Sequence, residues 1–132
     1  MKRCALALPL PFLLVLAQPA AADPSLECSV DSGSQVEVRD CLAATEKTVD
    51  AAMALALRFA TDAATELDEV TGRPVALPAL EASQAAWSAY RDAHCAYVGA
   101  TFGGGSGTGI AIRSCRIELA RERIRALRGL AG

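Results

Sequence analysis

Four cysteines constrain this chain more than any other feature, because of where they stand. Cys28, Cys41, Cys95 and Cys115 follow an N-terminal segment with the three-part plan of a secretory signal: basic Lys2 and Arg3, an uncharged apolar run from Cys4 to Ala17, then Ala20, Ala21 and Ala22. The run is shorter than the roughly 20 apolar residues that span a bilayer, and it contains Pro9 and Pro11. Residues 1–22 are therefore expected to be a cleaved signal peptide, with Asp23 opening the mature chain and no membrane span left after removal. Cys4 departs with the signal. An even number of remaining thiols in an exported chain points to two disulfides rather than zinc ligands or free thiols. Each bridge is expected to stabilise a small domain, spanning 23–132, by about 3 kcal/mol.

Apolar periodicity gives the fold class. Residues 23–33 read as irregular. Ser34-Gln35-Val36-Glu37 is a capping box, where a serine side chain accepts from the backbone three residues on. From there Val38, Leu42, Thr45, Val49, Ala52, Ala56, Phe59, Ala63, Leu67 and Val70 recur in steps of mostly three and four, the mark of one helix face. Thr71-Gly72-Arg73-Pro74 ends that helix near Val70, through a Gly stop and a Pro that cannot continue it. At 1.5 Å per residue such a helix is about 54 Å long, so a bend is plausible. A second helix is expected from Pro78 or Ala79 to about Val98, with Leu80, Trp87, Tyr90 and Tyr97. A third is expected from Ile112 to Leu130, carrying Ile112, Cys115, Leu119, Ala126, Leu127 and Leu130, after the glycine-rich turn of residues 103–109. The expectation is an all-α, three-helix antiparallel bundle with a long first helix, stapled by two disulfides.

Charge is unevenly spread. The signal holds two of the thirteen basic groups and none of the fifteen acids, which leaves a mature net of −4. Residues 23–81 carry twelve acids against Arg39, Lys47, Arg58 and Arg73, while residues 82–132 carry three acids against seven arginines. Opposite halves of this kind either attract one another within the fold or steer a charged partner.

No catalytic set emerges from the residue types. His94 is the single histidine, too few for a metal site of converging ligands or for a confident Ser-His-Asp arrangement with Asp92 and a distant serine. The Gly103 to Gly109 run lacks the Gly-Lys-Ser/Thr and the preceding strand of a phosphate loop. Its alternatives are a turn or a flexible partner-touching loop. The arginines of the last helix do not indicate nucleic acid, since Glu118 and Glu122 stand three residues before Arg121 and Arg125, at helix-pair spacing, and the chain is acidic overall. No cofactor is expected.

The most specific pattern is Gln84, Trp87, Arg91, Asp92 and Cys95. Steps of three, four and four put Gln84, Trp87, Arg91 and Cys95 on one stripe. Trp87 reads as a core anchor and Arg91 as a structural clamp, which needs an acid such as Asp50 or backbone carbonyls to satisfy its donors. Together with Cys28, Glu37, Cys41, Asp50 in Val49 to Met53, Gly103-Gly104, Cys115, Arg123 and Leu127, this pattern resembles the lysozyme inhibitor LprI family over nearly all of the chain from Cys28 to Leu127. Ala54, Leu57 and Ala120 depart from it, where the family usually has Asn, Tyr and Thr. The resemblance implies a periplasmic or secreted helical protein and, for some members, inhibition of lysozymes.

On that reading the expected bridges are Cys28 with Cys41 and Cys95 with Cys115, both short-range and suited to a helical hairpin, although four cysteines allow three pairings. The expected function is that of an exported, non-enzymatic protein that binds a basic lysozyme. The alternative is a structural or interaction module of the cell envelope with another partner. Candidate contacts are the first-helix acids Asp62, Glu66, Asp68 and Glu69, and the loop residues Gly103, Gly104 and Ser106.

Overall fold

The computed structural model describes residues 23–130, so the proposed signal peptide lies outside the described residues. Four helices follow one another: α1 (Pro24–Ser29), α2 (Gln35–Thr71), α3 (Ala76–Ala100) and α4 (Gly107–Leu130). Among the described residues no strand occurs and no helix is long and apolar enough to cross a membrane.

The all-α, disulfide-stapled bundle stands, with one more helix than expected. The segment before Ser34 is irregular only over residues 30–33, because Pro24 at the first helical position and Asp23 as N-cap start a short α1. The Asp23 carboxylate accepts from the Ser25 N–H at 2.8 Å, and it also accepts from the Ser114 hydroxyl of α4 at 2.6 Å. Six residues are too few for a helix to persist alone in water. Cys28–Cys41 therefore ties α1 to α2, and the Arg121 guanidinium of α4 donates twice to Glu27, each time at 2.9 Å.

Helix α2 is one continuous element of 37 residues, about 55 Å long. Ser34 caps it by accepting from the Glu37 N–H at 3.3 Å, and the Glu37 carboxylate reaches back to the Gly33 N–H at 2.6 Å. Gly72 closes it in the left-handed region at φ 63°, a conformation that costs glycine nothing. Helix α3 starts earlier than Pro78, at Ala76, for a reason outside its own sequence. The Asp68 carboxylate of α2 accepts from the N–H groups of Val75, Ala76 and Leu77, which leaves α3 capped from its neighbour.

Helix α4 begins five residues before Ile112, since Gly107 and Gly109 are helical and only residues 101–106 form the turn. Gly103 and Gly104 take φ of 65° and 84° there, so that turn requires them to be glycine. Helix α4 packs against each of the other three helices. Leu42, Ile117 and Leu127 are fully buried at the centre, with Val49, Met53, Ala56, Ala60 and Ala120 around them and Trp87 partly buried against the cluster. At the other end of α3, Cys95–Cys115 joins α3 to α4 beside Gly99, where the backbone meets the Ile112 side chain. Both bridges have the expected pairing.

Candidate partner-binding surfaces

The arginine signature is consumed by the scaffold. Arg91 keeps 17% of its side chain exposed and lies over the Trp87 ring, its guanidinium carbon 5.1 Å from the centroid, a cation–π contact. Its Nη1 stands 3.9 Å from Asp50 and its Nε 3.6 Å from Asp92. The chain of charges continues: Asp92 lies 3.5 Å from Arg116, Arg116 lies 3.3 Å from Glu46, and Glu46 lies 3.1 Å from Arg113. Three acids and three arginines thus run as a ladder across α2, α3 and α4. Gln84 is held differently, accepting from Arg123 Nε at 3.0 Å while Arg123 Nη2 donates to Ser83 at 3.0 Å.

Much of the charge asymmetry of the two halves is therefore spent inside the fold. Arg91, Arg113, Arg116 and Arg121 of the basic half reach Asp50, Glu46 and Glu27 of the acidic half. The local pairs expected of Glu118 with Arg121 and Glu122 with Arg125 are not among the ion pairs of the described residues. Arg121 turns across to Glu27 instead, since two parallel N–H donors on one carboxylate outweigh a flexible pair on the same helix. Hydrogen bonding lowers the Glu27 carboxyl below its usual range, chiefly through Arg121, and lowers Asp23, chiefly through the Ser114 hydroxyl.

His94 stacks on Tyr90, ring centroids 5.3 Å apart, and no group of three metal-binding side chains occurs among the described residues. His94 also lines a cavity of about 400 Å³ between α3, α4 and α1, together with Asp23, Ser114 and Glu118. The Ser114 hydroxyl there donates to Asp23.

What remains free lies elsewhere. On α2, Leu55, Phe59, Asp62, Glu66 and Glu69 follow one another in steps of four, three, four and three, and all are exposed. Phe59, placed by periodicity in the core stripe, is 53% exposed, whereas Ala56 of that stripe is buried as expected and is joined by Met53 and Ala60 from outside it. Asp68, offered as a contact beside these acids, has its oxygens engaged by three backbone N–H groups, led by Leu77, which lower its carboxyl below the usual range.

Gly103, Gly104 and Ser106 are exposed in the α3–α4 turn. The acids of α2 and this turn do not meet. They lie towards opposite ends of α3, whose 25 residues span about 38 Å. Sequence reasoning missed Glu46, Arg113, Asp23 and Ser114, because their partners are more than 40 positions away and no local spacing marks them.

Compared with known proteins, the chain is similar to one family, described as lysozyme inhibitor LprI, whose profile matches residues 27–127. No curated protein and no solved structure matches it.

Proposed function

The chain belongs to the lysozyme inhibitor LprI family, and on that premise we propose that it is an exported binding protein that inhibits lysozyme-type muramidases by non-covalent contact, with no chemistry of its own. The family match is the observation that carries this reading. The geometry supports it, since Arg91, Asp92, Gln84 and Arg123 hold helices together while the outward face of α2 stays exposed. Asp62, Glu66 and Glu69 on that face suit the basic rim of an animal-type lysozyme. Exposed charges of this kind raise encounter rate and select partners more than they add affinity. The two disulfides suit the oxidising space outside the cytoplasm, where such a target is met.

The test is a turbidity assay of cell-wall lysis with the purified, oxidised protein. Lysis slows in proportion to added protein for at least one lysozyme class. Unchanged lysis across animal-type, goose-type and invertebrate-type enzymes at large molar excess would remove the reading.

A further inference from the structure

The turn that joins α2 to α3 is built more rigidly than a connection needs to be. Gly72 N–H donates to the Glu69 carbonyl at 3.3 Å, Arg73 N–H to the Asp68 carbonyl at 3.2 Å and Val75 N–H to the Arg73 carbonyl at 2.8 Å. The Asp68 side chain then gathers the three N–H groups of Val75, Ala76 and Leu77 within 3.0 Å. The backbone of the tip is thus fixed before any partner arrives.

The side chains at its tip face solvent. Val70 is 80% exposed, and Val75, 61% exposed, lines a shallow groove of about 310 Å³ with Leu67 and Arg73. Arg73 is exposed and joins no ion pair among the described residues. Between Phe59 and Tyr90 it is the single basic residue among Asp62, Glu66, Asp68, Glu69 and Glu81. The Asp68 carboxylate is turned inward on backbone donors, so the cation stands alone at an apolar apex with acids behind it.

A basic animal-type lysozyme presents the inverse pattern, because the pair of carboxylates that cleaves the glycosidic bond lies in the cleft of a positively charged body. We propose that the α2–α3 turn enters that cleft, with the Arg73 guanidinium on the carboxylate pair, Val70 and Val75 against the cleft walls, and Asp62, Glu66 and Glu69 facing the basic rim. This deepens the inhibitor reading and rests on it. Arginine suits the role, since its planar fork meets a carboxylate through two parallel hydrogen bonds, which an ammonium cannot reproduce. A turn already fixed loses little conformational entropy on docking.

The test uses the full oxidised protein, a basic animal-type lysozyme and chitotriose as an occupant of the cleft. Inhibition is expected to compete with chitotriose and to raise KM while leaving kcat unchanged. Arg73→Ala should weaken it by roughly thirtyfold or more, as loss of a central arginine anchor does. Arg73→Glu should abolish it, and Arg73→Lys should recover a part. Circular dichroism of each variant should match the parent, since Arg73 is exposed and makes no side-chain contact that holds the turn. Inhibition that survives Arg73→Glu, or that is indifferent to chitotriose, overturns the placement while the inhibitor reading stands. A parent protein that leaves every lysozyme untouched removes both, and a concentration-dependent dimer broken by Arg73→Glu assigns the tip to a second copy of the chain instead.

Discussion

At Gly99 a hydrogen occupies the place where any other residue puts a carbon. A Cβ built there would stand 2.6 Å from Ile112 Cδ1 and closer still to Cγ1, well inside contact distance. Alanine gains about 0.5–1 kcal/mol over glycine in a helix interior, an upper bound on the gain at Gly99, which is next to last in α3. Here the gain is opposed by overpacking, because Ile112 is stiff at χ1 and sits one turn from the Cys95–Cys115 bridge, so it has little room to withdraw. The clash outweighs the propensity: Gly99→Ala is expected to destabilise by about 1–3 kcal/mol. Adding Ile112→Ala should recover part of that loss, a coupling that denaturant unfolding of the two single variants and the double variant measures. Additive losses would show that α3 and α4 are not in contact there. Nothing in the sequence distinguishes Gly99 from the glycines of the following turn. Only the approach of a second helix gives it a role, whereas Gly72 was legible as a helix stop from the Gly-Arg-Pro that it begins.

Helix α2 shows what periodicity settles and what it leaves open. The capping box at Ser34 and the stop at Gly72 follow from local chemistry and are both present, while local chemistry leaves open whether the helix between them is continuous, as it is. The buried face over its first half also agrees, at Leu42 and Val49. Beyond Val49 a step of three to Ala52 and a step of four to Met53 are equally good helix spacing, and only the position of α4 decides between them. The helix chose four, which sets Met53 and Ala60 beside the expected Ala56 on the buried face and turns Phe59 outward. The same tertiary override governs α4, where Ile117 and Ala120 are buried to within 1% without having stood on the expected stripe. The assignment of faces is open to a direct check. Met53→Ala should cost about 2–5 kcal/mol through lost burial and a residual cavity. Phe59→Ser and Leu55→Ser should cost less, about 1 kcal/mol each, because roughly half of each side chain already lies in water. The reverse order in chemical denaturation would mean that α2 is rotated by a residue from the face described.

Across the whole molecule the two disulfides close loops of similar size, 13 and 20 residues apart in sequence, so chain entropy alone would rank them nearly equal at about 3 kcal/mol each. Their surroundings separate them. Cys95–Cys115 joins two long helices that also share the Gly99–Ile112 contact and the Arg91 to Arg116 ladder, and those survive if the bridge is absent. Cys28–Cys41 anchors a six-residue helix whose other supports are the buried Pro24, the partly exposed Arg121–Glu27 pair and the hydrogen bonds of Asp23 and Ser25 to Ser114. Exposed ion pairs contribute little once salt screens them. Replacing Cys95 and Cys115 by alanine should therefore lower the thermal midpoint of a single cooperative transition. Replacing Cys28 and Cys41 should release α1 first, as local unfolding below the global transition. Hydrogen exchange distinguishes the two outcomes. In the Cys28→Ala/Cys41→Ala protein, fast exchange should be confined to α1 and the opening turns of α2, and it should spread further as salt weakens Arg121 on Glu27. Uniform acceleration across α2, α3 and α4 in that variant would show that α1 is a keystone of the core rather than a strap laid over it.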